Sequence, residues 1–126
     1  MTDIFPTLRY EDAHAAIDLI VNAFGFAKKA VYEDDAGVVQ HAELAYGDGV
    51  IMLGESSRES DPDSLEMPTG GGSVYVVVDD PDGHYERAKA AGVKIRRELR
   101  DEDYGSRGYS AEDPEGNVWS FGTYRP

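Results

Sequence analysis

The chain has 126 residues, a formal net charge of −13 and no cysteine. This length suits one folded domain with a hydrophobic core, whereas the missing cysteines exclude disulfides and thiolate metal sites, and the acidic balance disfavours binding to nucleic acid. Because the N-terminus has no secretory signal and no apolar run approaches the roughly 20 residues that cross a bilayer, we expect a soluble, cytoplasmic protein with no membrane contact.

The first half of the chain predicts a strand, a helix and three further strands. The first strand covers residues 4–10, and Asp12 is placed to cap a helix whose apolar residues recur at helical spacing until Gly25 ends it. Turns rich in glycine and aspartate separate the later strands, at residues 30–33, 38–45 and 50–54. Residues 56–72 are rich in Ser, Asp, Pro and Gly, and we expect them to form a linker.

The second half repeats this order. A β-branched run at residues 74–78 predicts a strand, and the helix after it has Asp80 as its cap and Pro81 at its first position. Gly92 is placed to end that helix. The remaining strands are expected at residues 93–99, 107–111 and 117–123.

Landmarks of different chemistry recur at nearly one spacing, which indicates a tandem structural repeat. Equivalent landmarks lie 67 or 68 residues apart, namely Asp12 and Asp80, Gly25 and Gly92, and Gly49 and Gly116. Each half has about 60 residues, which is too few to close a core comfortably, so the halves should pair through their sheets. We therefore predict an α+β fold with two βαβββ modules, about 1–55 and 73–126, in a single domain over residues 1–126.

Two segments of the second half resemble the vicinal-oxygen-chelate superfamily, which includes glyoxalases, extradiol dioxygenases and bleomycin-resistance proteins. They are residues 76–88 (VVVDDPDGHYERA) and residues 113–121 (DPEGNVWSF), where a turn precedes the final strand. The resemblance implies a mixed sheet that curls around a funnel, with the helices outside and the site inside. It also implies a homodimer, because open sheets of this kind leave edges that a partner commonly covers.

The resemblance also predicts where a metal ion would bind. Metal-dependent members of the superfamily hold a divalent ion at equivalent points on the first and last strands of both modules. On this chain those points fall on Phe5, Leu53, Ser73 and Ser120, none of which is a usual ligand of Zn, Fe, Mn or Ni. We therefore expect no metal at the standard site and no cofactor.

Strand parity suggests which side chains line the funnel of the second module. Ser120 brings Tyr75 onto the same face, while Trp119 and Phe121 turn towards the helices. A glycine-punctuated stretch bordering that funnel contains Tyr104, Arg107 and Tyr109. These residues could stack on and hydrogen-bond a planar ligand, or they could be structural residues of a turn.

The histidines offer one further candidate pair. His41 and Glu43 alternate on one face of a strand, about 7 Å apart along it, and we predict a hydrogen-bonded pair that lines a pocket or faces solvent. Two such ligands without a third do not make a metal site. His14 and His84 lie in the first turns of helices, where we expect them at the surface and not as ligands.

The favoured function is that of a metal-independent binding protein, similar to the bleomycin-resistance type, which sequesters a small cationic or aromatic compound such as an antibiotic. The acidic charge would attract a cationic ligand. The alternative is a glyoxalase-like lyase or isomerase that uses His41 and Glu43 as acid and base or as part of a displaced divalent-metal site. A dimeric scaffold without a ligand is a third interpretation. Binding is favoured over catalysis because no nucleophilic constellation emerges from the sequence.

Overall fold

A computed structural model describes residues 3–56, 68–103 and 105–126, and its elements follow the predicted β-α-β-β-β order twice. The first module consists of β1 (Thr7–Tyr10), α1 (Ala13–Phe24), β2 (Ala27–Glu33), β3 (Val39–Tyr46) and β4 (Gly49–Glu55). The second consists of β5 (Ser73–Val77), α2 (Pro81–Ala90), β6 (Lys94–Asp101), β7 (Arg107–Glu112) and β8 (Val118–Gly122). The predicted α+β class and the tandem repeat are confirmed. Most of the expected linker, and Tyr104, lie outside the described residues.

Each module forms its own four-stranded mixed sheet, in the orders β1-β4-β3-β2 and β5-β8-β7-β6. In both sheets the module's first strand runs parallel to its last, and all other neighbours are antiparallel. Among the described strands no backbone ladder joins the two sheets, so they do not close into a barrel. The edges of the sheets are therefore β1, β2, β5 and β6.

Both helices begin where the sequence predicts. The Asp12 carboxylate accepts a hydrogen bond from the Ala15 amide at 3.1 Å, and Asp80 accepts one from the Gly83 amide at the same distance. Helix α1 ends at Gly25, whose φ of 79° lies in the left-handed region that glycine adopts without strain. Neither described helix has the length and apolar character that crossing a membrane requires.

Strand β1 is shorter than the expected strand over residues 4–10. The carbonyl of Pro6 accepts a hydrogen bond from the Met52 amide at 2.9 Å. Pro6 cannot donate to the next carbonyl of β4, because it has no amide N–H. The parallel ladder therefore starts at Thr7, opposite Met52. As a consequence, residues 49–51 of β4 extend beyond the start of β1.

One hydrophobic core spans both modules. The Phe24 ring at the end of α1 lies 5.4 Å from the Trp119 ring and 4.7 Å from the Phe121 ring of β8, measured between centroids. Trp119 and Phe121 are buried, as strand parity predicts. The helices pack against each other and against one face of the sheets, so each sheet keeps an opposite, open face.

The second module also holds both ends of α1. The Glu115 carboxylate accepts hydrogen bonds from the amides of Glu11 (2.6 Å) and Asp12 (3.0 Å) at the N-terminal end. At the other end, the Arg87 guanidinium donates to the carbonyl of Asn22 at 2.9 Å. An anion and a cation at these positions satisfy the helix-end groups and match the helix dipole. The two modules are thus fitted together within one chain.

Asp113 is the polar centre of this junction. Only 3% of the residue is exposed, and its carboxylate accepts from the Tyr10 hydroxyl at 2.6 Å and from the Trp119 indole N–H at 3.1 Å. It also accepts from the amides of Glu115 and Asn117, both at 3.0 Å. A buried carboxylate needs such partners. The turn motif before the last strand therefore organises the packing between modules.

Candidate functional site

The open face of the second sheet carries two of the predicted site residues. Tyr75 and Ser120 are register partners on β5 and β8, and both side chains lie on the face away from α2. Ser120 Oγ shares a hydrogen bond with Ser110 Oγ at 2.8 Å, and the Tyr75 hydroxyl donates to the carbonyl of Tyr124 at 2.7 Å. Tyr75 is 42% exposed, so its ring is accessible to a ligand.

In the first module, the strand position that corresponds to Ser120 lies one residue away from the predicted one. Leu53 was expected on the open face, but it is only 1% exposed and pairs with Leu8 and Ala42 on the face that α1 covers. The cause is turn length, because two residues separate β3 from β4 whereas five separate β7 from β8. Counting strand positions from the glycine of the turn therefore gives the wrong face in the first module. Met52, not Leu53, occupies the position equivalent to Ser120.

This correction leaves the candidate metal positions without a carboxylate or imidazole. They now carry a phenyl ring, a thioether and two hydroxyls, from Phe5, Met52, Ser73 and Ser120. A thioether is a soft donor and hydroxyls are weak ones, so this donor set does not suit a harder divalent ion. Within residues 3–56, 68–103 and 105–126, no group of three or more His, Asp or Glu side chains could hold a metal ion.

His41 and Glu43 form the predicted polar pair on the open face of the first sheet. His41 Nε2 and Glu43 Oε2 are 2.9 Å apart, and both side chains are about one-third exposed (39% and 29%). Tyr32 stacks on the imidazole with 6.1 Å between ring centroids, and Lys29 Nζ lies 3.9 Å from Glu43 Oε1. The pairing is confirmed, and its surroundings supply a cation and an aromatic ring.

Arg107 and Tyr109 lie on the helix side of their strand, so their expected place at the border of the open face is wrong. Tyr109 is 2% exposed and pairs with Phe121, another side chain that faces the helices. The Arg107 guanidinium is held by Asp82 of α2 at 2.7 Å and by Asp101 at 3.2 Å. Alternation along β7 is the physical reason, because it is Ser110, the partner of Ser120, that turns to the open face.

His84 is half-buried, contrary to the expected surface position, and it connects the modules. Its Nε2 lies 2.8 Å from the carbonyl oxygen of Phe24, which only accepts, so Nε2 donates and Nδ1 accepts from the Tyr109 hydroxyl at 2.6 Å. Burial lowers the pKa of His84, partly offset by the bond to Phe24, and the charge of Arg87 lowers it further. His14 remains exposed as expected.

A cavity of about 520 Å³ lies where the two modules meet. Residues 46–51 and residues 74–77 form its two sides, and Phe26 supplies an aromatic wall between them. Of the described residues, three with charged side chains line it, namely Asp48, Asp79 and Arg125. Burial raises the pKa of Tyr46, whose ring also lines the cavity, and the charge of Asp79 adds to the increase. This volume lies in the usual range for small-molecule sites.

This cavity could not be predicted from the sequence because it belongs to neither module alone. Pro6 was the available signal, since a proline at the start of a parallel strand shortens the ladder and exposes the neighbouring strand. Whether the shortened ladder leaves a cavity depends on which edge of the other sheet lies nearby. A local sequence pattern does not contain that information. Among the predicted site residues that the structure describes, Tyr75 alone also lines the cavity.

Proteins of similar sequence and fold have been described. An uncharacterised protein of Mycobacterium bovis is 30% identical over 121 residues, which cover 93% of this chain and 80% of that protein. TioX of Micromonospora sp. ML1 is 31% identical, with a TM-score of 0.83 over 99% of this chain and 100% of TioX. A lactoylglutathione lyase of Agrobacterium tumefaciens shares the fold at 22% identity, with a TM-score of 0.72 over 97% and 93% of the two chains.

The family assignment covers nearly the whole chain. Residues 5–121 match the model of the glyoxalase family, and this range includes both βαβββ modules and the cavity walls on β4 and β5. The repeat, the parallel pairing of first and last strands, and the cleft between modules agree with that match. The chain therefore belongs to the Glyoxalase/Bleomycin resistance protein/Dioxygenase superfamily.

Proposed function

We propose that this protein binds a small organic molecule in the cavity between its modules, without the help of a metal ion. The observation that carries the proposal is the cavity of about 520 Å³, which both sheets border. Its sides combine aliphatic and aromatic surface with a few charged groups, and small ligands are usually bound by this combination. The bound compound would be sequestered in the cytoplasm, and an antibiotic is one such compound.

Metal independence is supported by the donor set and not by the missing ion. The four positions that the superfamily uses for a divalent metal carry Phe5, Met52, Ser73 and Ser120. None of these offers the carboxylate or imidazole that holds Zn, Mn or Ni in proteins. We therefore expect full ligand binding in protein treated with a chelator.

The charge around the cavity favours a cationic or aromatic ligand. Among the described side chains that line it, Asp48 and Asp79 outnumber Arg125, and the whole chain has a net charge of −13. The rings of Phe26 and Tyr46 lie 5.3 Å apart in the wall and provide a surface for an aromatic group.

A homodimer is part of the same proposal. The open faces carry exposed aromatic side chains, with Phe5 42% and Tyr32 61% accessible, and β2 and β6 end their sheets without a further strand among the described residues. A second copy would cover such surface. Sedimentation velocity at micromolar concentrations tests for the dimer. A protein that stays monomeric at every concentration measured would contradict the proposal.

Ligand binding can be tested with a variant that fills the cavity. Val50→Trp places an indole inside it, whereas Tyr32→Trp changes an exposed ring outside it and serves as the matched control. Thermal shift and calorimetry against aromatic amines and cationic glycopeptides should give a binder whose affinity falls at least tenfold in Val50→Trp alone (about 1.4 kcal/mol). The absence of any binder in a broad panel would contradict the proposal.

A second candidate function rests on the pair formed by His41 and Glu43. Their 2.9 Å contact on an accessible face could move a proton in a lyase or isomerase reaction. A glyoxalase-type assay with thiol–aldehyde adducts should then show turnover that Glu43→Gln abolishes. Turnover together with stoichiometric metal that both His41→Ala and Glu43→Gln lose would favour this enzyme over the binding protein.

A further inference from the structure

We propose that the cavity between the modules selects a small aromatic molecule that carries both an ammonium and a carboxylate group, as an aromatic amino acid does. The ring of this ligand lies against Phe26 and Tyr46, which line the cavity. Its ammonium group pairs with Asp79 and its carboxylate pairs with Arg125. This inference rests on the proposed binding function and names the class of ligand, since that function requires only a cationic or an aromatic compound.

The aromatic wall of the cavity is held in place by other rings. Phe26 is only 5% exposed, and its ring lies 5.8 Å from the Trp119 ring, edge to face, and 5.3 Å from the Tyr46 ring, measured between centroids. The Tyr46 ring in turn meets the His84 ring edge to face at 6.1 Å. Because these contacts fix both rings, a ligand ring finds a preformed surface and little of the binding energy is lost in ordering it.

The Tyr46 hydroxyl is the polar group of this wall. Tyr46 is half-buried, and within the part of the chain that the structure describes its hydroxyl makes no hydrogen bond. Burial raises the pKa of Tyr46 and the charge of Asp79 raises it further, which places that carboxylate near the hydroxyl. A primary ammonium group has several N–H donors, so it can donate to the carboxylate and to the phenol oxygen at once.

Charges of both signs lie at the opening of the cavity. Asp48, Asp79 and Arg125 line it and are exposed, whereas Phe26 is buried, so the cavity has an apolar inner end and a charged opening. None of the ion pairs among the described residues includes any of these three charged side chains. A ligand with both charges can therefore pair with them without breaking an ion pair in this part of the protein.

Asp79 and Arg125 follow the ends of two neighbouring strands. β5 and β8 are parallel, with Val77 opposite Gly122, and the Val78 amide donates to the Gly122 carbonyl at 2.9 Å. Asp79 comes shortly after the end of β5 and Arg125 shortly after the end of β8. Since neighbouring strands are about 4.8 Å apart and both side chains line the same cavity, one small ligand can reach both.

The experiment compares three ligands that share a phenyl ring and differ in charge: L-phenylalanine, phenethylamine and 3-phenylpropanoate. The first has both charged groups, the second only the ammonium and the third only the carboxylate. Calorimetry with the full chain should show the tightest binding for phenylalanine and at least about threefold weaker binding for phenethylamine. Binding of 3-phenylpropanoate should be at least about tenfold weaker, because it leaves Asp79 unpaired and the acidic chain repels it.

Variants that remove one polar group assign the contacts. Asp79→Asn should weaken binding of both amines at least about threefold, whereas Arg125→Gln should weaken binding of phenylalanine and not of phenethylamine. Tyr46→Phe keeps the ring and removes the hydroxyl, so it should act in the same direction as Asp79→Asn. Asp35→Asn and Arg97→Gln are the matched controls, because both residues are exposed and outside the cavity, and neither should change an affinity.

The other outcomes each overturn a defined claim. Equal affinities for phenylalanine and phenethylamine, or an Arg125→Gln variant that binds phenylalanine as tightly as wild type, would overturn the inference and leave the proposed function standing. The same conclusion follows if larger aromatic cations bind with sensitivity to Val50→Trp while none of the three ligands binds. An affinity for 3-phenylpropanoate as high as that for phenylalanine would overturn the selection of an ammonium group. The absence of any binder, among these ligands and in the broader panel, would overturn both proposals.

Discussion

The two modules share their order of elements and their helix caps, yet they differ where the first strand meets the last. In the second module all five residues of β5 have a partner on β8, whereas in the first module β1 has four residues against the seven of β4. Pro6 is the reason, because it cannot donate to the ladder. A repeat thus preserves the fold, and a single residue in one copy leaves β4 exposed at the cavity in which we propose that the ligand binds.

The turns before the last strands provide the second contrast. The first module uses two residues between β3 and β4, while the second uses five that include the buried Asp113. The longer turn connects to the other module, through Asp113 and the Tyr10 hydroxyl and through Glu115 and the amides at the start of α1. One copy of the turn is therefore a simple hairpin, and the other holds the modules together.

The largest effect is expected at Asp113. Asp113→Ala would leave the buried donors of Tyr10, Asn117 and Trp119 without their acceptor, and we expect a loss of about 3–5 kcal/mol in the free energy of unfolding. Urea denaturation measures it. Asp48→Asn, in the exposed turn of the first module, is the control and should change stability by less than about 0.5 kcal/mol. A loss below about 1 kcal/mol for Asp113→Ala would contradict its role at the junction.

The strand difference can be removed by Pro6→Val, which restores an amide opposite the carbonyl of Val50. We expect β1 to extend along β4, with new protection of that amide in hydrogen exchange and a loss of ligand affinity of about 1 kcal/mol or more as the cavity narrows. Thr7→Val, one residue along the same strand, is the matched control. Unchanged affinity together with the new protection would show that the ligand does not bind in the cavity.

The contact of His84 with the first module predicts a pH dependence. Its folded pKa lies below the ordinary value of 6.5, so the stability that depends on the neutral ring is present above pH 6.5 and is lost as the pH falls towards the lowered pKa. The difference in unfolding free energy between wild type and His84→Gln should therefore shrink between pH 7 and pH 5. His14→Gln removes an exposed histidine as a control. A difference that stays constant or grows on acidification would refute the assignment.

The smallest effect is expected at the pair on the open face of the first sheet. His41→Ala breaks a contact that is about one-third exposed, so it should cost less than about 1 kcal/mol and leave ligand affinity in the cavity unchanged. Denaturation and calorimetry on the same sample test both statements. A large loss of affinity would show that the ligand binds on this face and not in the cavity.

The sequence predicts most of the fold for identifiable reasons. Asp12, Gly25 and Asp80 act through local hydrogen bonds and backbone geometry, so their roles can be derived from neighbouring residues alone. The predicted position of Leu53 was wrong because the alternation of faces along β4 was counted from a turn whose length differs between the modules. Local rules hold within an element, and they do not carry across a turn of unknown length.

The candidate site was harder to predict because it depends on contacts between distant residues. Tyr109 and His84 looked like exposed residues of a turn and a helix start, but their hydrogen bond lies in a core shared by two modules. The cavity arises from Pro6 in one module and the edge of β5 in the other. Neither a proline nor the edge of a sheet indicates a binding site in a sequence. Only the packing of two sheet edges brings them together.

An amide chemical-shift titration of chelator-treated protein with phenethylamine, a small aromatic cation, tests the central claim most directly. We predict that the largest shifts fall on the two sides of the cavity, at residues 49–51 and 74–77, and that they saturate without added metal. Shifts centred instead on His41, Glu43 and Met52, or binding that appears only when a divalent metal is restored, would contradict a metal-independent site between the modules.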